Sequence, residues 1–295
     1  MHCAEHRRSR PAQPKSRHSA LLAGLGVSLL TAAAAPVNAD EDAPDFDNLP
    51  GPAAWEDLPD WSGVWAEVGN TVFDHASVQP PEGASNQPGT REYPPLTEEW
   101  EALYARNNEL VAQGRFPDPN STCGMPTGFP RIFNLPDVME FVVRPEQTWI
   151  VSENGPNIMR IYTDGRSHPA PEDLWPTYTG DSVGYWDGDT LVFSTIAVKN
   201  EGTILDRTGL TLSDEMTAVT RMRKVEDGLI EVEMVLEDPV ALTEPWRVVS
   251  RFERLPDGTR VYDYACAENN RNPVTESGQT ITLGPDGQPL ETLEQ

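Results

Sequence analysis

The chain has 295 residues, with 47 acidic against 22 basic side chains and a formal net charge of −25. Such a surface repels nucleic acid and anionic lipid, which excludes both as expected partners. It suits a soluble protein in a salty medium, where self-repulsion is screened, and carries no information about the fold.

The first element in chain order is a leader. Arg7, Arg8, Arg10, Lys15 and Arg17 precede an uncharged run from Ser19 to Val37, with an apolar core from Ala20 to Leu30. Val37-Asn38-Ala39 has the small-x-small form of a signal peptidase site. The apolar core is too short to span a bilayer. Residues 1–39 therefore read as a signal peptide, and no later segment reaches transmembrane length. The mature protein is expected to be periplasmic or secreted. Cys3 leaves with the leader, and Cys123 and Cys266 remain. Two cysteines in an oxidising compartment are most simply a disulfide; two buried free thiols are the alternative.

Residues 40–60 are acidic and proline-containing, an arm that is mobile or loosely docked. No linker interrupts the chain after this arm, so residues 61–295 are expected to form a single β-rich domain. Asp60-Trp61-Ser62-Gly63-Val64-Trp65 opens it as an aromatic-rich strand, and residues 76–95 form a Pro/Gly-rich loop. Thr97 to Gly114 is the one good helix. Thr97 is placed to cap it, Glu98 and Glu99 favour its first turn, and Gly114 suits a left-handed end. Trp100, Leu103, Tyr104, Asn107, Leu110 and Val111 follow helical spacing as its buried stripe.

From residue 138 onward the pattern is that of strands: 138–143, 148–152, 157–163, 185–186, 190–198, 216–225, 229–236, 246–255 and 259–266. Ile230, Val232, Met234 and Leu236 alternate with Glu231, Glu233, Val235 and Glu237, which predicts one buried and one wet face. Asp-Gly pairs at 164, 187, 227 and 257 lie between strand-like runs and favour tight turns. Repeated hairpins without intervening helices predict a meander. A long meander can close and so remove its edge strands. The expected fold is a lipocalin-like up-and-down antiparallel barrel, or a strongly curved sheet, with one external helix; a β-sandwich is the alternative.

Outside the leader the only histidines are His75 and His168. No zinc-type histidine spacing, hydrolase elbow or dinucleotide glycine pattern occurs, so neither a metal nor another cofactor is expected. His168 comes after the Asp164-Gly165 turn with Arg166, and Asp164, Asp181 and Asp187 are its nearest candidate carboxylate partners by sequence, Asp181 being the better site candidate. If Cys123 and Cys266 were joined, Glu268, Asn269 and Tyr264 would be held near Arg131. The expected site is a cavity mouth with His168, Asp181 and Glu268 as acid and base. Arg131, Arg166, Tyr264, Asn269 and Trp186 would contact the substrate. Each has a plainer reading, as a backbone-bonded histidine, a turn aspartate or an Arg131–Glu268 salt bridge.

Several motifs together resemble a family of secreted proteins abundant in proteobacteria and acidobacteria. They are Cys123-Gly124-x-Pro126-x-Gly128-x-Pro130-Arg131 and Arg160-Ile161-Tyr162-x-Asp164-Gly165-Arg166-x-His168-Pro169. Gly184-x-Trp186-x-Gly188-Asp189-Thr190-Leu191-Val192, Asp238-Pro239 with Pro245-Trp246, and Tyr264-x-Cys266-x-Glu268-x-Asn270 complete the set. The resemblance covers residues 60–272 and implies a secreted protein, without implying a reaction. Relatives read histidine where this chain has Leu210 and Leu212, and Glu-Arg where it has Thr220-Arg221. A polar site built from those groups would be greasier here.

Two functions fit. One is a cofactor-independent periplasmic isomerase, lyase or cyclase that moves a proton on a small, mostly apolar molecule. The other is a periplasmic binding or carrier protein for a small hydrophobic or amphipathic ligand. Oligomeric state is not legible in the sequence.

Overall fold

The strand patterns become nine strands in the computed structural model, which describes residues 44–68, 93–115, 117–118, 127–154, 158–200, 205, 209–262 and 288. They are β1 (Val64–Glu67), β2 (Met139–Val143), β3 (Gln147–Ser152), β4 (Ile158–Tyr162) and β5 (Asp181–Asp187), then β6 (Thr190–Ile196), β7 (Thr217–Glu226), β8 (Leu229–Glu237) and β9 (Trp246–Arg254). Each pairs with the next in chain order, and β9 pairs back to β1, so the sheet is a closed barrel. Closure removes the exposed edges that a nine-stranded open sheet would carry.

The barrel departs from a pure antiparallel meander at one seam. Strands that alternate in direction cannot close a ring with an odd number of members, so one neighbouring pair must run the same way. That pair is β4 and β5, where Ile161 lies beside Ser182 and Tyr162 beside Val183 in parallel register. Residues 163–180 form the crossover that joins them. Asp164-Gly165 therefore turns the chain into a crossover and not into a hairpin. Asp187-Gly188 and Asp227-Gly228 do make hairpins, joining β5 to β6 and β7 to β8. After Asp257-Gly258, residues 259–262 are irregular, so the strand expected from 259 does not begin there.

Alternation decides what enters the barrel. On β8, Ile230, Val232, Met234 and Leu236 are fully buried and Glu237 is exposed at the strand end. Directly opposite residues share a face. Phe252, Ser250, Val248 and Trp246 of β9 therefore point inward with them. An aromatic chain runs through this interior. Phe129 meets Phe133 at 6.2 Å between ring centroids, Phe133 meets Phe252 at 6.3 Å, and Phe252 meets Phe141 at 6.3 Å. Phe141 touches Trp61 at 5.8 Å, and Trp61 touches Trp186 at 5.1 Å. Gly184 of β5 stands opposite Phe193, where a Cβ would come within 2.6 Å of the Phe193 Cβ; the missing side chain makes room for that ring.

Helix α1 (Glu98–Ala112) lies outside the strands. It buries Tyr104, Asn107 and Val111, with Trp100 partly buried against the core, while Leu103 is exposed. Thr97 does not cap it with its side chain. Its hydroxyl instead donates to the Val240 carbonyl at 3.1 Å, and its N–H donates to the Ala241 carbonyl at 2.8 Å. The helix start is thus bonded to the β8–β9 connection. Gly114, at φ +73°, ends the helix in the left-handed conformation expected of it. Asn107 donates to the Gly209 carbonyl at 3.0 Å and docks the helix on the β6–β7 connection. Residues 1–39 lie outside the described residues.

Candidate functional site

Asp181 and His168 meet, as their sequence pairing suggested. His168 Nδ1 lies 2.6 Å from Asp181 Oδ1. The expected cavity mouth includes Glu268, which lies outside the described residues; the described ones place the pair on the outer face of β5. Ser182, Gly184 and Trp186 stand opposite Thr195, Phe193 and Leu191, all inward residues of β6. Asp181, one residue from Ser182, must point to the outer face. Val183, next on that face, has no exposed surface, so the outer wall is covered here. The pair joins the crossover to the outside of β5. His168 Nε2 is buried and has no hydrogen-bond partner among the described residues.

Of the other expected site residues that are described, Arg166 is near enough to Asp181 for their charges to interact, while Arg131 and Trp186 are engaged elsewhere. Arg166 grips Asp164 with Nη2 to Oδ2 at 2.6 Å and Nε to Oδ1 at 2.9 Å, and its guanidinium lies 4.1 Å from the Tyr162 ring centroid. These hydrogen bonds hold the Asp164 carboxyl below its ordinary range. Arg131 is buried in a short 3₁₀ turn and paired with Asp118 at 2.7 Å. Trp186 is inward, but it sits five residues along β5 from Asp181, roughly 16 Å away at about 3.3 Å per residue, and packs on Trp61. Glu268, Tyr264 and Asn269 lie outside the described residues. The disulfide expectation is corrected: among the described residues no cysteine pair stands at disulfide distance. Cys123 and Cys266 otherwise lie outside the described residues. Count and compartment motivated that pairing, and neither constrains the separation that a disulfide needs.

The barrel interior holds groups the sequence reading passed over. Trp65 stands opposite Met139, both fully buried, and Glu67 stands opposite the fully buried Phe252. Glu67 is therefore an inward carboxyl. Its Oε2 is buried and has no hydrogen-bond partner among the described residues, and burial pushes its pKa up from 4.5 to about 9. It holds its proton at neutral pH. The signal was present: carrying the alternation of Trp65 one step further reaches Glu67.

Ser182 and Thr195 satisfy each other inside the barrel at 2.9 Å. The hydroxyls of Thr148, Thr220 and Ser250 are buried and find no partner among the described residues. Apart from Ser152 and, at one end, Lys224 and Arg254, the remaining inward surface is mostly apolar and soft. Met139, Met159, Met222 and Met234 are all fully buried and lie on the inward faces of four different strands. Leu210 and Leu212 are also buried in the core.

Among the described residues, no group of three or more His, Cys, Asp or Glu is disposed to hold a metal ion. No described helix is long and apolar enough to cross a membrane. No protein-family model matches the chain. No curated protein is similar to it in sequence.

Proposed function

We propose that this protein binds and carries a small, mostly apolar molecule inside its barrel, outside the cytoplasm, without chemistry on it. The observation that carries this reading is the barrel lining. It combines Trp61, Trp65, Phe141 and Phe252 with four inward methionines, all buried. Barrels near this strand number have an interior that side chains fill or that holds one small ligand. Methionine is unbranched and polarisable, so a methionine-rich wall can re-pack around a guest. The proton-transfer reading needs His168 beside such a guest. The face of Asp181 puts that pair on the other side of the wall. The motif resemblance and the signal-like leader support a secreted carrier.

The test is fluorescence titration of the purified mature chain with N-phenyl-1-naphthylamine, an apolar probe. The expected result is saturable binding at one site per chain, with energy transfer from the interior tryptophans. Linear, non-saturating fluorescence, or binding only to unfolded protein, would refute the carrier reading.

A further inference from the structure

We propose that Glu67 and Ser250 form the polar subsite of the lumen and select an uncharged ligand bearing a carbonyl or alcohol oxygen. This rests on the carrier reading above and adds the chemical class of the guest. Glu67 on β1 is directly opposite Phe252 on β9, and Ser250 is the next inward residue of β9. Diagonal neighbours of this kind lie about 7–8 Å apart. One ligand oxygen between them is within reach of both side chains.

Both groups are left with bonding capacity inside an apolar space. The Ser250 residue is only 4 % exposed, and its hydroxyl has no partner among the described residues; the same holds for Glu67 Oε2. A buried donor or acceptor without a partner costs about 1–3 kcal/mol. Two such groups side by side in a wall otherwise built from Trp65, Phe252, Val232 and Met139 are a standing penalty that a guest oxygen would remove. Thr220 adds a third hydroxyl without a partner among the described residues, further round the wall on β7 beyond Met234. Thr148 lies on β3, across β1 and β2, and is not part of the pair.

The charge environment sets the class. Arg254 shares the inward register of Phe252, but its guanidinium is bound to Asp257 at 2.9 Å and to the Ser62 carbonyl at 3.0 Å, at the barrel end. Lys224, inward at the same end, pairs with Asp227 at 3.0 Å. Arg251 points outward to Glu231. Among the described residues no charge shifts Glu67; burial is the cause of its raised pKa. An anionic ligand would find no cation there. A cationic one would have to ionise Glu67 and keep a buried ion pair, whose desolvation cost offsets its attraction. A neutral carbonyl can accept from the Glu67 carboxyl O–H and from the Ser250 O–H with no charge buried.

The experiment uses displacement of N-phenyl-1-naphthylamine from the full mature chain by 2-octanone, 1-octanol, octane, octanoate and octylamine. The quantity read is the affinity ratio of ketone to alkane, in wild type and in Glu67→Leu. The ratio should fall about tenfold in Glu67→Leu, the size of one net hydrogen bond to a neutral partner. It should be retained in Glu67→Gln, which keeps a donor. Ser250→Ala removes one oxygen and should lower the ratio in the same direction. An unchanged ratio in Glu67→Leu and Ser250→Ala, or octanoate or octylamine binding wild type more tightly than the ketone, would overturn the subsite alone. Failure of the probe to bind wild type and all variants would overturn the carrier reading itself.

Discussion

Replacing Glu67 by glutamine should stabilise the protein at neutral pH. An unfolded glutamate ionises near 4.5, whereas the folded one holds its proton up to about 9. Between those values the folded state binds more protons than the unfolded state. Stability therefore falls as pH rises through that window, is fully present below 4.5 and stops falling above 9. The slope is about 1.4 kcal/mol per pH unit for one group, so by pH 7 the wild type has lost about 3 kcal/mol relative to pH 4.5. Glutamine has nearly the same shape and does not titrate. Urea unfolding of both proteins at pH 5, 6, 7 and 8 should show curves that diverge with pH, the variant more stable by about 3 kcal/mol at pH 7. Other groups contribute equally to both proteins and cancel in the difference. Parallel curves would refute the argument, because they would mean that Glu67 is ionised or solvated in the folded state.

Two further substitutions probe what positions the wall. His168→Ala should lower stability by about 1–3 kcal/mol, by leaving the Asp181 carboxylate without its 2.6 Å partner, and should expose the 163–180 crossover to proteases while probe affinity stays unchanged. Loss of probe binding with the fold intact would instead place His168 at the ligand. Gly209→Ala should cost about 1–3 kcal/mol, because Gly209 has φ +94° and a Cβ there would sit 2.8 Å from the Asn107 Cβ; wild-type thermal stability in that variant would show that α1 does not dock as described.

The strands are legible in the sequence wherever alternation is strong. Leu229 to Glu237 shows one wet and one dry face from residue order alone, and the Asp-Gly pairs at 187 and 227 reverse the chain between strands. The same dipeptide at 164 leads into a crossover, and after the one at 257 no strand begins among the described residues, since a turn signal fixes the local backbone and not the pairing of the segment after it. The parallel seam is not legible, because it arises from the parity of the ring and not from any one segment. Thr97 has the residue type and position of a cap, but its hydroxyl is claimed by the Val240 carbonyl far along the chain. Proximity in sequence brings Asp181 into the set of candidate partners for His168, beside Asp164 and Asp187, without choosing among them. The face of the pair is not legible, because that depends on the register of Ser182 against Thr195. Glu67 escapes a reading that ends the first strand at Trp65, since a carboxylate two residues on looks like the polar end of the strand.

The parallel seam also accounts for where the histidine sits. Most neighbouring strands here are tied by long antiparallel ladders, such as β7 with β8 from Thr217–Glu237 to Glu226–Leu229. The β4–β5 seam is paired only at Ile161–Ser182 and Tyr162–Val183. Its connection cannot be a tight hairpin, because parallel neighbours need a crossover. That crossover must be fastened to the wall by something other than the ladder. Thr177 does so through its N–H to the Ala197 carbonyl at 3.1 Å, and Tyr178 through its carbonyl, which accepts from the Phe129 N–H at 2.7 Å. His168 does so through Asp181, at the first residue of the strand the crossover feeds. An imidazole–carboxylate pair resembles the orienting half of a catalytic dyad. Here the pair holds the crossover to the barrel, and on the proposed carrier reading the polar groups offered to a guest are those of the inner face, Glu67 and Ser250.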